Sequence, residues 1–306
     1  MSKIEAALAK VRGRVVPLES ANGTNKPGTN MVPAQGRALA NRQAQQAVAA
    51  TALRRMSESW LLEPRDLAER RIIHFGTTDT HVTSAFRNLR TKILQAAQGN
   101  CSIVVTSCAK GRDSSLIATN LAVSFSLDDI KTATLINCNL AANAIDELTQ
   151  SENRIGISDY LRNESIRLEQ VIHPVGLARL RVIPAGKSHD GMAEYFTLPR
   201  MRELLGELHA RYADRYIVLN APPLFDSADA RVLVGLADYV VLVVPYGSVT
   251  EAQIVSAAKM IGERKLLGAV FSDMPWFPSN YRGLLGWVAR LAGIRSDPGR
   301  THRKKK

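Results

Sequence analysis

Ser102-Ile-Val-Val-Thr-Ser-Cys-Ala-Lys-Gly-Arg-Asp-Ser-Ser-Leu-Ile-Ala-Thr-Asn-Leu-Ala122 runs from a strand through a short polar loop into a helix. Ser102–Ser107 is β-branched and small without polar/apolar alternation, the pattern of a strand covered on both faces. After the loop the apolar residues return at helical spacing. A loop between a strand end and a helix N-terminus gathers backbone N–H groups and the positive end of the helix dipole, an arrangement suited to anions.

The same alternation continues outward. Further buried strands are expected at Ala133–Cys138, Leu180–Ala185, Arg215–Asn220, Tyr239–Pro245 and Leu267–Ser272. Helices are expected at Thr83–Ala97, Ser114–Leu127, Ile157–Leu161, Leu198–Tyr212, Ala228–Leu236 and Thr250–Arg264. Strands alternating with amphipathic helices predict an α/β fold: a doubly wound, mostly parallel sheet with helices on both faces. The organisation reads as a short amphipathic helix at 1–14, a flexible linker at 15–56, the α/β domain at 57–280 and a basic amphipathic tail at 281–306.

A working phosphate loop reads GxxxxGK[ST]. In this register Asp113 stands at the second glycine, Ser114 at the lysine, and Ser115 keeps the magnesium-binding hydroxyl. Asp113 adds a side chain and a negative charge where backbone must approach phosphate. The missing lysine removes a contact worth about 4 kcal/mol gross at ~4 Å in an effective dielectric near 20. Lys110, Gly111, Arg112, Asp113 and Ser115 remain as residual nucleotide-site candidates. The competing reading is a plain strand-to-helix turn with Asp113 as N-cap.

The 306-residue chain carries a net charge of +12. Residues 1–55 hold nine Lys/Arg and two acids, and residues 281–306 hold eight Lys/Arg and one acid, so each end is +7. The central 225 residues therefore sum to −2. A basic footprint on the folded body, which sequence-independent nucleic-acid binding requires, is absent from that count. A nucleic-acid partner is accordingly not expected. Three cysteines form neither a CxxC pair nor an even framework, which fits a reducing, cytoplasmic compartment. The opening MSKIEAALAKVRGR has no apolar core of the secretory kind.

Several motifs occur in one order. Ala85-Phe-Arg-Asn-Leu-Arg-Thr91 precedes the loop; Thr106-Ser107 and Thr119-Asn-Leu-Ala122 flank it. Thr134-Leu-Ile-Asn-Cys-Asn-Leu140, Gly156-Ile-Ser-Asp-Tyr-Leu-Arg162, Val182-Ile-Pro-Ala-Gly186, Leu198-Pro-Arg-Met-Arg-Glu-Leu-Leu205 and Tyr216-Ile-Val-Leu-Asn-Ala-Pro-Pro223 follow. Together, over roughly residues 80–280, they resemble the bacterial tyrosine kinase (BY-kinase) family, itself similar to the deviant-Walker, MinD/ParA-like P-loop ATPases and serving capsule and exopolysaccharide export. The opening residues also resemble the start of kinases in exosortase-linked exopolysaccharide systems.

The departures fall where the family does its chemistry. The second Walker strand usually reads LLIDADLR and Walker B YDYVIIDTPP, with aspartates that handle magnesium and the hydroxyl nucleophile. Asn137, Asn139 and Asn220 stand at those aspartates. Asparagine keeps the shape and loses the charge that holds a hard cation or accepts a proton. With Ser114 at the lysine, no catalytic residue is expected, and magnesium-ATP binding is expected to be lost or very weak. Ser115 and Asp229 are the weak metal candidates; a helix N-terminal role is the alternative for Asp229.

The family's ring-forming E-x-x-R-x-x-R occurs as Ser84-x-x-Arg87-x-x-Arg90. Arg87 and Arg90 read either as docking arginines for a partner that brings its own acid, or as solvated helix charges. The autophosphorylated tyrosine cluster is missing. In the tail, Leu284, Trp287 and Leu291 with Lys304, Lys305 and Lys306 suit an anionic membrane surface; a helix docked on the domain is the other reading. The resemblance implies a scaffold or regulator whose partners are the cytoplasmic part of a membrane polysaccharide copolymerase or an active kinase paralogue, peripheral at the inner membrane. A rewired ATPase or kinase using Lys110, Arg112 and Asp229, and a partition-type nucleic-acid binder, are the alternatives.

Overall fold

The structure is a computed structural model that describes residues 60–272 apart from 78, 98, 110–112, 143, 150–154, 188–191 and 212–214. The expectations for residues 1–56 and 281–306 lie outside the described residues.

In chain order the elements are α1 (Pro64–Glu69), α2 (Thr80–Ala96), β1 (Ser102–Ser107), α3 (Asp113–Ser126), β2 (Thr132–Asn137), α4 (Ile157–Arg162), α5 (Leu168–Val171), β3 (His173–Pro174), β4 (Leu180–Ile183), α6 (Pro199–Arg211), β5 (Arg215–Asn220), α7 (Ala228–Leu236), β6 (Tyr239–Pro245), α8 (Glu251–Ile261) and β7 (Leu266–Ser272). The strands form one sheet in the order β3-β4-β2-β5-β1-β6-β7. Every pair is parallel except the two-residue β3, which runs antiparallel to β4.

β1, β2 and β5 are buried along their whole length, which is why their sequences show no alternation. Successive side chains still divide between two cores. Val104, Ile136, Ile183, Ile217, Leu219 and Leu242 pack with Leu204 and Leu208 of α6 and Leu233 of α7. Ile103, Val105, Leu135, Val182, Val218 and Val241 pack on the other face with Phe86 and Ile93 of α2 and Leu121 and Phe125 of α3. The Phe125 ring stacks on Tyr216 at 4.2 Å, tying α3 to β5.

The other expected boundaries shift by at most two residues, and the two larger shifts, at α2 and α8, have local reasons. α2 starts three residues early because Asp79 Oδ1 accepts from the N–H groups of His81 and Val82, a side-chain N-cap. α8 stops at Ile261 because Gly262, at φ +86°, turns the chain out of the helix.

The expected GISDYLR and VIPAG segments meet each other. Ile157 N–H donates to Pro184 O at 2.8 Å and Ser158 N–H to Ala185 O at 3.0 Å. The Asp159 carboxylate closes the join, accepting from Gly156 N–H at 2.9 Å. A Cβ on Gly156 would lie 2.2 Å from Gly186 N, so this crossing needs glycine on steric grounds.

Candidate functional site

The parallel sheet delivers the carboxyl ends of β1, β2 and β5 to one edge, with β5 between the other two. Register fixes which residues meet there: Asn137 ends β2 level with Asn220, the last residue of β5. Helix α3 begins at Asp113, so Ser114 and Ser115 occupy its first turn. Asn137 and Asn220 are completely buried, and Ser114, Ser115 and Asn139 are buried too.

Three of these expected site residues form one hydrogen-bonded chain. Asn220 Nδ2 donates to Ser115 Oγ at 3.1 Å and to Asn137 Oδ1 at 3.0 Å. Asn137 Nδ2 donates to Ala142 O and to Asp146 Oδ1, both at 2.8 Å. Asn139 joins through its backbone, its N–H donating to Asn137 Oδ1 at 3.2 Å. Ser114 precedes Ser115 in the same helical turn and is equally enclosed.

These directions bear on magnesium. The Ser115 hydroxyl, expected from sequence to be the magnesium ligand, is met by an amide N–H, and the neighbouring side chain points its N–H groups at oxygens. A hard cation needs oxygens converging on it, largely carboxylate. Two acceptors do remain without a hydrogen bond: buried Asn220 Oδ1 and Asp229 Oδ1. Among the described residues no cluster of three His, Cys, Asp or Glu could hold a metal.

Asp229 sits in the first turn of α7, whose N-cap is Ser227. Burial holds its carboxyl above the ordinary carboxylate range. Burial, and after it the Asp229 charge, pushes the Cys138 thiol up. Cys108, just past the end of β1, is raised by burial to about 11. Neither thiol has the lowered pKa of a nucleophile.

Lys110, Gly111 and Arg112 lie outside the described residues, as does the side chain of Asp113. The two arginines of α2 part company. Arg87 is exposed. Arg90 turns inward: its Nη1 donates to Ser124 O near the end of α3 and stands 4.0 Å from Asp128.

Sequence reasoning missed Asp146, in the short 3-10 turn Asp146–Leu148. It is buried, and its carboxylate also accepts from Ala185 N–H at 3.0 Å. The only signal for it was an acid among the apolar residues Ile145 and Leu148.

No protein-family model matches the chain. Tyrosine-protein kinase YwqD of Bacillus subtilis is 28% identical over 208 residues, covering 67% of this chain and 86% of that protein. The chain is a homologue of the bacterial tyrosine-protein kinases. The putative tyrosine-protein kinase EpsB of Ralstonia solanacearum is likewise 28% identical over 216 residues, which are 69% of this chain but only 28% of EpsB. Among solved structures, the kinase domain of the Escherichia coli tyrosine kinase ETK superposes with a TM-score of 0.58 at 21% identity, covering 72% of this chain and 92% of that one. That likeness carries the fold. Asn137 and Asn220, which the sequence analysis placed at the second Walker strand and Walker B, are the residues of the buried amide chain described above.

Proposed function

We propose that this bacterial tyrosine-kinase homologue is catalytically silent and acts through protein contacts, as a scaffold or regulator in exopolysaccharide assembly and export. One observation carries the reading: Ser115, Asn137 and Asn220 are hydrogen-bonded to one another in a single chain, with amide N–H groups where a kinase needs carboxylates. A phosphoryl-transfer site stabilises a metal and a transferring group with fixed opposite charge. Amides that bond to each other lack the charge such a site uses, and of their acceptor oxygens only Asn220 Oδ1 is left without a hydrogen bond.

The partners follow from the resemblance. A cytoplasmic segment of a membrane polysaccharide copolymerase, or an active kinase paralogue, would meet the face around α2, where exposed Arg87 offers a guanidinium to an acid. Isothermal titration of magnesium-ATP into the full chain is expected to give no saturable heat at millimolar ligand. A micromolar dissociation constant would sink the reading.

The basic tail belongs to the same proposal. Deleting residues 281–306 is expected to weaken sedimentation with anionic phosphatidylserine vesicles, at roughly 1 kcal/mol per surface-bound Lys or Arg, and salt is expected to weaken it further. Unchanged vesicle binding would exclude the tail as the membrane contact.

A second reading, a rewired cation-dependent enzyme, is favoured by the two unpaired acceptors Asn220 Oδ1 and Asp229 Oδ1. Phosphate release above background that is lost in Asp229→Asn would select it.

A further inference from the structure

Asp146 is an acid buried to 5% exposure at the base of the amide chain, and nothing in the kinase reading gives it a role. We propose that Asp146 is a positioning residue whose carboxylate, together with Ala142 O, fixes the direction of every hydrogen bond from Asn137 to Ser115, and that it makes position 137 select an amide over a carboxylate. The inference deepens the silent-site reading and rests on it only for the former role of position 137.

Donors and acceptors decide the orientation. A carboxylate accepts and has no proton to give, and a backbone carbonyl likewise only accepts. Asp146 Oδ1 and Ala142 O both stand 2.8 Å from one atom of residue 137, so that atom must be the amide nitrogen. Asn137 Oδ1 is then left facing Asn220 and the N–H of Asn139. Asn220 must in turn present its own nitrogen, which reaches Ser115 Oγ as well. Turning either amide over would set donor against donor or acceptor against acceptor in a site without water-facing surface. Asp146 itself is held by Ala185 N–H, which approaches both its oxygens at 3.0 and 3.2 Å. That N–H is placed by the Gly156–Gly186 crossing.

Aspartate at position 137 would replace the nitrogen with oxygen, 2.8 Å from a carboxylate oxygen and from a carbonyl oxygen, where the side chain has no exposure to water. Like charges at that distance cannot both stay ionised without a large penalty. The kinase aspartate at this strand position and the Asp146 carboxylate are therefore mutually exclusive, and the loss of one charge is linked to the presence of the other.

A four-member cycle tests this: wild type, Asn137→Asp, Asp146→Asn, and the double variant that exchanges amide and carboxylate, each as the full chain unfolded in urea without nucleotide. Asn137→Asp is expected to raise the unfolding constant at least a hundredfold. The double variant is expected to recover at least tenfold relative to Asn137→Asp alone. Single effects that simply multiply in the double variant overturn the proposal. Should neither chain carrying Asn137→Asp fold, the side-chain amide protons of Asn137 decide, read by NMR exchange. They are expected to exchange at least tenfold faster in Asp146→Asn than in wild type, and equal rates overturn the proposal. No arm contains nucleotide, so saturable magnesium-ATP heat in the wild type would end the silent reading and leave this cycle's result standing.

Discussion

Gly156→Ala is expected to destabilise the chain by about 3 kcal/mol or more, at the upper end of overpacking penalties. The added methyl would sit 2.2 Å from Gly186 N and 2.3 Å from Pro184 O, both backbone atoms that cannot rotate away. The backbone at Gly156 has φ −131°, which any residue adopts, so the effect is purely one of space. Urea titration followed by tryptophan fluorescence measures it. The control is Gly206→Ala in α6, where a Cβ meets nothing within 4 Å. That change is expected to stabilise by ~0.5–1 kcal/mol, because alanine loses less backbone freedom in a helix. Equal effects at the two positions would show that the crossing of GISDYLR and VIPAG is looser than described.

The largest functional change is expected from rebuilding the kinase residues, and it needs one substitution more than the family pattern suggests. Asp113→Gly, Ser114→Lys, Asn137→Asp, Asn139→Asp and Asn220→Asp together restore the loop and the three carboxylates. With Asp146 retained, the new carboxylate at position 137 faces a buried carboxylate, and no gain from magnesium-ATP is expected. Adding Asp146→Asn removes that conflict. The six-residue variant is then expected to melt higher in magnesium-ATP, by ~2.7 kcal/mol at a hundredfold excess over its dissociation constant, whereas wild type does not shift. Differential scanning fluorimetry with and without nucleotide reads both. A five-residue variant that responds as strongly as the six-residue one would contradict the role of Asp146.

Much of the architecture was legible because it is periodic. β1, β5, β6 and α7 fall at their expected bounds, since continuous β-branched runs and the Ala228–Leu236 helix are signalled by every residue in them. α1, α5 and β3 were not expected: α1 and α5 have six and four residues and β3 two, too short for a period to show. The site divides in the same way. Ser115, Asn137 and Asn220 were found because they stand at fixed distances from strand ends within recognisable motifs. Asp146 was not, because its importance lies in a contact nine residues along the chain to Asn137 and thirty-nine to Ala185, and no local pattern encodes either. Arg90 shows the converse: helical spacing placed it beside Arg87 on α2, yet its reach to Ser124 depends on where α3 ends.

That inward reach of Arg90 makes a mechanical strut. It pins the middle of α2 to the far end of α3, a 14-residue rod about 21 Å long whose near end carries Ser114 and Ser115. Through α3 the exposed helix α2 is thereby joined, by one hydrogen bond at each end of the rod, to Asn220 in the middle of the sheet.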